Sequence, residues 1–142
     1  MGRVKPPGIL IAGVLAALLV AACGSTQTSA PKAAGLETRK VTAGAVEVTV
    51  DPETLDATGA VFKVALDTHS GDLTVDLAKT ATLEVGGRAW SNATWKGDAT
   101  GGHHRQGELR FTAQGPATGD VRLRIDGLPA PVLATWNLPA NK

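Results

Sequence analysis

The sequence contains no tyrosine, one methionine (Met1), one cysteine (Cys23) and only two phenylalanines beside three tryptophans. A lone cysteine cannot close an intrachain disulfide, so the fold has to rest on apolar burial. Sulfur is absent from the rest of the chain, which removes the thiolate and thioether ligands that favour cuprous ion. Charge is sparse and balanced, with 14 Lys and Arg against 13 Asp and Glu and no long run of either sign. That balance argues against a nucleic-acid partner, which normally needs a clustered basic face. Beyond residue 22 no segment has the apolar period of a helix.

What the chain does have begins at its N-terminus. Arg3 and Lys5 precede an apolar run over residues 9–20, the charge and length of a secretory signal. The run falls short of the roughly 20 residues that span a bilayer. It ends in Val20-Ala21-Ala22-Cys23, followed by Gly24-Ser25-Thr26. This stretch resembles the lipobox of bacterial lipoprotein precursors. The resemblance implies removal of residues 1–22, a lipidated Cys23 as first residue of the mature chain, and residence on the extracytoplasmic side of a membrane that the protein does not cross. An ordinary signal peptide or an uncleaved anchor would leave the single cysteine without a role, and lipidation gives it one. The start is not that of an N-myristoylated protein, because Pro6 stands where serine or threonine is expected. Each buried methylene of an acyl chain contributes about 0.8 kcal/mol, so several chains at one cysteine anchor durably. Cleavage leaves twelve basic residues against thirteen acidic ones.

Residues 23–40, with Ser25-Thr26-Gln27-Thr28-Ser29-Ala30-Pro31 at their centre, lack apolar periodicity and read as a flexible tether, or as plain disorder. Residues 41–142 read as the folded domain. Their dominant period is two, the mark of strands with one buried face. Val46, Val48 and Val50 alternate with Glu47 and Thr49, and Asp51-Pro52-Glu53 is expected to end that strand. Phe62, Val64 and Leu66 form a second set, and Leu73, Val75 and Leu77 a third. Residues 82–85 form a short fourth strand, and Gly86-Gly87 is a hairpin signal before its return through Trp90. Residues 91–107 are polar and glycine-rich and show no clear strand. Alternation resumes at Leu109 and Phe111, then at Val121, Leu123 and Ile125, and finally from Val132 through Ala134 and Trp136 to Leu138. The class expected is all-β, an antiparallel immunoglobulin-like β-sandwich of seven to eight strands.

Immunoglobulin-like sandwiches are similar at this coarse level over residues 41–138. The antibody-type disulfide and tyrosine corner are missing, since the chain has no cysteine pair and no tyrosine. The chain is also similar to prokaryotic secreted domains that carry an Asp-Thr-His-Ser segment and a later Gly-Gly-His-His-Arg segment, here Asp67-Thr68-His69-Ser70 and Gly101-Gly102-His103-His104-Arg105. That resemblance implies export and no particular activity.

The three histidines fall at expected strand ends, where loops meet. One reading is a Zn²⁺ or Cu²⁺ site on His69, His103 and His104, with Asp67, Asp72 or Asp98 supplying oxygen. The other is that the histidines pin loops, packed on Trp90 or Trp95 and bonded to Asp67 or a carbonyl. Ser70 beside His69 and Asp72 supplies the residue types of a nucleophilic triad, but sequence neighbours do not achieve its geometry, and no enzyme is expected. Trp90 and Trp95 bracket a polar loop and, with Arg105, are candidates for an aromatic surface facing a protein or glycan partner. Trp136 reads as core. Arg110, Arg122 and Arg124, near Glu108 and Asp126, read as a mixed solvated face. The expected role is a non-catalytic binding or structural module of the cell envelope with no resident cofactor, with a metal-binding lipoprotein as the alternative.

Overall fold

The computed structural model describes residues 35–140 together with Gly2, Gly8 and Ala33; the expected signal peptide, Cys23 and most of the expected tether lie outside the described residues. Eight strands and one helical turn follow in order: β1 (Arg39–Ala43), β2 (Val46–Asp56), β3 (Gly59–Thr68), α1 (Leu77–Thr80), β4 (Ala81–Val85), β5 (Arg88–Gly97), β6 (His104–Thr112), β7 (Gly119–Ile125) and β8 (Val132–Leu138). Every pairing is antiparallel, and the strands form one strip in the order β1-β2-β3-β6-β5-β4-β7-β8. The all-β antiparallel class is therefore observed, at the upper end of the expected strand count. β4, β5 and β6 form a meander, with β3 beside β6 and β7 beside β4. These are two overlapping Greek keys.

The strip doubles back at β5. Its first residues pair with β4, Leu83 opposite Trp90, and the rest pair with β6, from Ser91 opposite Thr112 to Gly97 opposite Gly107. Between the two the register slips over residues 92–93, and Asn92 takes φ +57°, the only positive value at a described non-glycine residue. A bulge of this kind bends a strand and strengthens its twist. The two halves then close on one core, in which Phe62 of β3 stacks on Trp136 of β8 at 5.5 Å and meets Phe111 of β6 edge-on at 6.3 Å. The inward alternation read for β2, β3, β6, β7 and β8 holds along each of them. Gly86 and Gly87, at φ +55° and +77°, make the expected hairpin, whose primed turn needs positive φ at both central residues.

Four expectations are corrected. Pro52 does not end a strand: β2 runs through it, buried, with a register shift between Pro52 and Thr54 that absorbs the missing N–H. Leu73, Val75 and Leu77 are buried as their alternation suggests, yet residues 73–76 are no strand and Leu77 opens α1. Both edges of β3 are already taken by β2 and β6, so the segment crosses between the halves without a partner strand. Residues 91–107 are mostly strand, the end of β5 and the start of β6. Finally, the folded unit starts before residue 41. Leu36 is buried, Trp136 Nε1 donates to the Glu37 carbonyl at 2.7 Å, and Arg39 Nε donates to the Thr135 carbonyl at 3.1 Å. Among the described residues, no helix is long and apolar enough to cross a membrane.

Candidate functional site at the Trp95 and Arg105 corner

The two sequence segments singled out for their histidines lie side by side because β3 and β6 pair in register, Asp67 opposite His104. Opposed residues on one face of an antiparallel pair put their side chains within reach. His104 Nδ1 and Asp67 Oδ1 are accordingly in hydrogen-bond contact, both half exposed. One residue on, Thr68 N–H donates to the His103 carbonyl at 2.9 Å. The buried Thr68 hydroxyl lies 2.8 Å from the Ser70 carbonyl and 3.1 Å from that of Ala45, and it accepts from Ser70 N–H at 3.2 Å. It thus ties the end of β3 to the β1–β2 turn.

Arg105 organises the rest. Its place on β6 follows from the same period that buries Leu109 and Phe111, so its guanidinium enters the molecule, and the residue is 1% exposed. There Nη1 donates to the Val75 carbonyl at 2.7 Å and the Leu73 carbonyl at 3.1 Å, and Nη2 reaches the Asp98 carbonyl at 3.4 Å. Nε is buried with no hydrogen-bond partner, and among the described residues no carboxylate pairs with the group. The cation instead lies 5.6 Å from the Trp95 ring centroid. A guanidinium stays protonated and offers five donors in one plane, which suits it to holding several carbonyls at once.

Trp95 occupies this position because its neighbours have no side chains. Gly97 and Gly107 are opposed across β5 and β6, and a Cβ at Gly107 would fall 2.6 Å from Gly97 Cα, 2.6 Å from the Lys96 carbonyl and 2.8 Å from the Trp95 ring. The indole lies against this bare patch and donates from Nε1 to the Asp98 carbonyl at 2.9 Å. The Asp98 carboxylate in turn accepts Gln106 N–H at 2.9 Å. Gly101 and Gly102, with φ +110° and +72°, bring the β5–β6 loop onto the crossing segment, where Gly101 N–H donates to the Leu73 carbonyl at 2.8 Å and Leu73 N–H to that of Gly102 at 2.9 Å. The corner joins the β5–β6 hairpin to the link between the halves.

Of the candidate ligands, the structure unites only His104 with Asp67. Among the described residues, no group of three or more His, Cys, Asp or Glu is placed to hold a metal ion. No hydrogen bond joins Ser70 to His69 or Asp72 side chains. The expected partner surface is not a surface: Trp90 is 3% exposed, facing inward opposite buried Leu83, and Arg105 is buried, which leaves only Trp95 half exposed. Arg105 as an internal pin went unread, although counting back by twos from Phe111 and Leu109 places it on the inward face. The arginines expected on one mixed solvated face lie on strands of both halves, Arg110 on β6 and Arg122 and Arg124 on β7, each with an acidic neighbour. Arg110 pairs with Glu108, Arg124 with Asp126 at 2.8 Å, and Arg122 lies 3.9 Å from Glu84. The Arg110 guanidinium holds the Glu108 carboxyl below its ordinary range, and Arg124 does the same for Asp126.

No family model, curated protein or solved structure matches this chain.

Proposed function

We propose that the chain is an extracytoplasmic lipoprotein, acylated at Cys23, whose β-domain is a non-catalytic binding or structural module of the cell envelope. The observation that carries this reading is Val20-Ala21-Ala22-Cys23 at the end of a basic and then apolar leader, which gives the only cysteine a use. The distance to the folded unit supports it. The residues between Cys23 and buried Leu36, at 3.3–3.6 Å each, reach at most about 45 Å, which keeps the domain near the bilayer surface. A non-catalytic role is supported by how the polar groups of the corner are used: Thr68, Trp95, Asp98 and Arg105 all bond to backbone groups of their own domain.

The test is expression of the full chain in a bacterial host fed an alkynyl palmitate analogue. The label should enter the chain and the protein should sediment with membranes, and Cys23→Ser should abolish the label and accumulate the longer, uncleaved precursor. Label that persists in the variant, or wild-type chain recovered without label from the soluble fraction, would overturn the reading.

A further inference from the structure

The outward face of β3, β6 and β5 carries a groove of about 370 Å³ between Thr54, Val61, Asn92, Thr94, Arg110 and Thr112. Its origin lies in the register. Two cross-strand rows meet there, Val61–Arg110–Thr94 and Gly59–Thr112–Ser91. Gly59 contributes no side chain to the second row, and a Cβ there would fall 2.6 Å from the Phe111 carbonyl, so that gap is built into the fold. On the other side the β5 bulge lifts Asn92 out of the pairing into the left-handed region, which asparagine tolerates better than most residues.

The chemistry of the groove is uniform. The side chains of Asn92, Thr94 and Thr112 make no hydrogen bond among the described residues, although between them they offer an amide and two hydroxyls, each able to donate and accept. Arg110 brings a cation, but Glu108 on the same strand pairs with it through Nε and Nη2, so the rim is close to neutral. Val61, half buried, is the most accessible apolar side chain of the floor, beside buried Ala60 and Phe111. Such a lining disfavours an anion, which would meet a cation already matched. It also disfavours an apolar ligand, which would strip water from unpaired hydroxyls. A peptide strand could join only the free side of β5 beyond Ser91, where it would extend the sheet sideways and leave Val61, Arg110 and Thr112 on the floor uncovered. What remains complementary is an uncharged molecule dense in hydroxyl and amide groups.

We propose that this groove binds a neutral saccharide, held by Asn92, Thr94 and Thr112 with one sugar face against Val61. The proposal supplies a ligand class for the binding module proposed above and rests on that reading for where the ligand is met. Its own test does not depend on acylation.

The experiment is a titration of detergent-solubilised, isotope-labelled full chain with two neutral probes, chitotetraose and maltotetraose, and one acidic comparator, tetragalacturonate, read by backbone amide shifts. Asn92→Gly keeps the left-handed conformation and removes the amide; Thr112→Val keeps shape and strand preference and removes the hydroxyl. At least one neutral probe should give saturable shifts confined to residues near 54, 92–94 and 110–112. Its affinity should fall about tenfold in one or both variants, as expected for one lost hydrogen-bonding group, with thermal midpoints unchanged. No saturable shift with either neutral probe, stronger binding of tetragalacturonate, or unchanged affinity in both variants would overturn the proposal. A failed palmitate experiment alongside saturable saccharide binding would reject the anchor and leave the groove standing.

Discussion

Replacing Arg105 by methionine tests whether a buried cation without a carboxylate partner stabilises this fold. The substitution keeps an unbranched apolar stem and removes the guanidinium. Two bonds to carbonyls, at 2.7 and 3.1 Å, are lost, each about 1.5–3 kcal/mol for a charged donor. The contact with Trp95 adds about 1 kcal/mol. Against this stands the relief of a desolvation penalty of several kcal/mol. Exchanging a buried ion pair for apolar residues is often neutral because both partners leave together. Here the acceptors are backbone carbonyls, and they stay. Val75 O loses its donor, whereas Leu73 O keeps Gly101 N–H and Asp98 O keeps Trp95 Nε1. We expect a net loss of about 2 kcal/mol, the size of one buried acceptor left unpaired. Urea unfolding of the full chain measures it, and hydrogen exchange at the Leu73 and Gly101 amides should quicken beyond what the global loss explains. Arg105→Lys should lose nearly as much, because one ammonium cannot span three carbonyls. A methionine variant as stable as the parent, with those amides equally protected, would refute the reasoning.

Two further outcomes follow from the same geometry. Gly107→Ala should cost about 2–3 kcal/mol by driving a methyl into β5 and displacing the Trp95 ring, seen as lower stability and red-shifted tryptophan emission. Acid should weaken the fold through carboxyls whose folded values are depressed: Glu108 beside Arg110, Asp76 beside Lys79 and Asp126 beside Arg124. Such groups contribute stability that is fully present above their ordinary values of 4.5 and 3.8 and is lost as pH falls through the lower folded values. Thermal midpoints should therefore stay level from pH 7 to about 5 and decline below, less steeply in Glu108→Gln. A decline already complete above pH 5 would refute the assignment to these carboxyls.

The strands with one wet face were legible because burial on one side and solvent on the other writes a period of two into the side chains. That signal reports an extended backbone, not a partner. Leu73, Val75 and Leu77 carry it and are buried, yet with β3 already flanked on both sides the segment does not pair with it. β5 hid for the opposite reason. It changes neighbours at Ser91, so its inward side changes with it, and the bulge at residues 92–93 breaks the alternation midway. Asp67 was foreseeable as a partner for a histidine, but its contact with His104 is a half-exposed pair across two adjacent strands and not a pin between loops. The burial of Arg105 followed the same period as Leu109 and Phe111 but went unread, because an arginine's charge argues for solvent until the carbonyls that replace water are known.

The seating of the first described residues sets how the domain bears load. Glu37 is gripped through its carbonyl by the Trp136 indole, which stacks on Phe62, which in turn abuts Phe111, so an aromatic relay runs from the point of chain entry to the middle of the molecule. A pull applied ahead of residue 36 meets that relay and the Leu36 plug before it reaches the β1–β2 ladder. The domain therefore resists being unzipped from its N-terminal strand, and a tug from that side is shared by both halves at once.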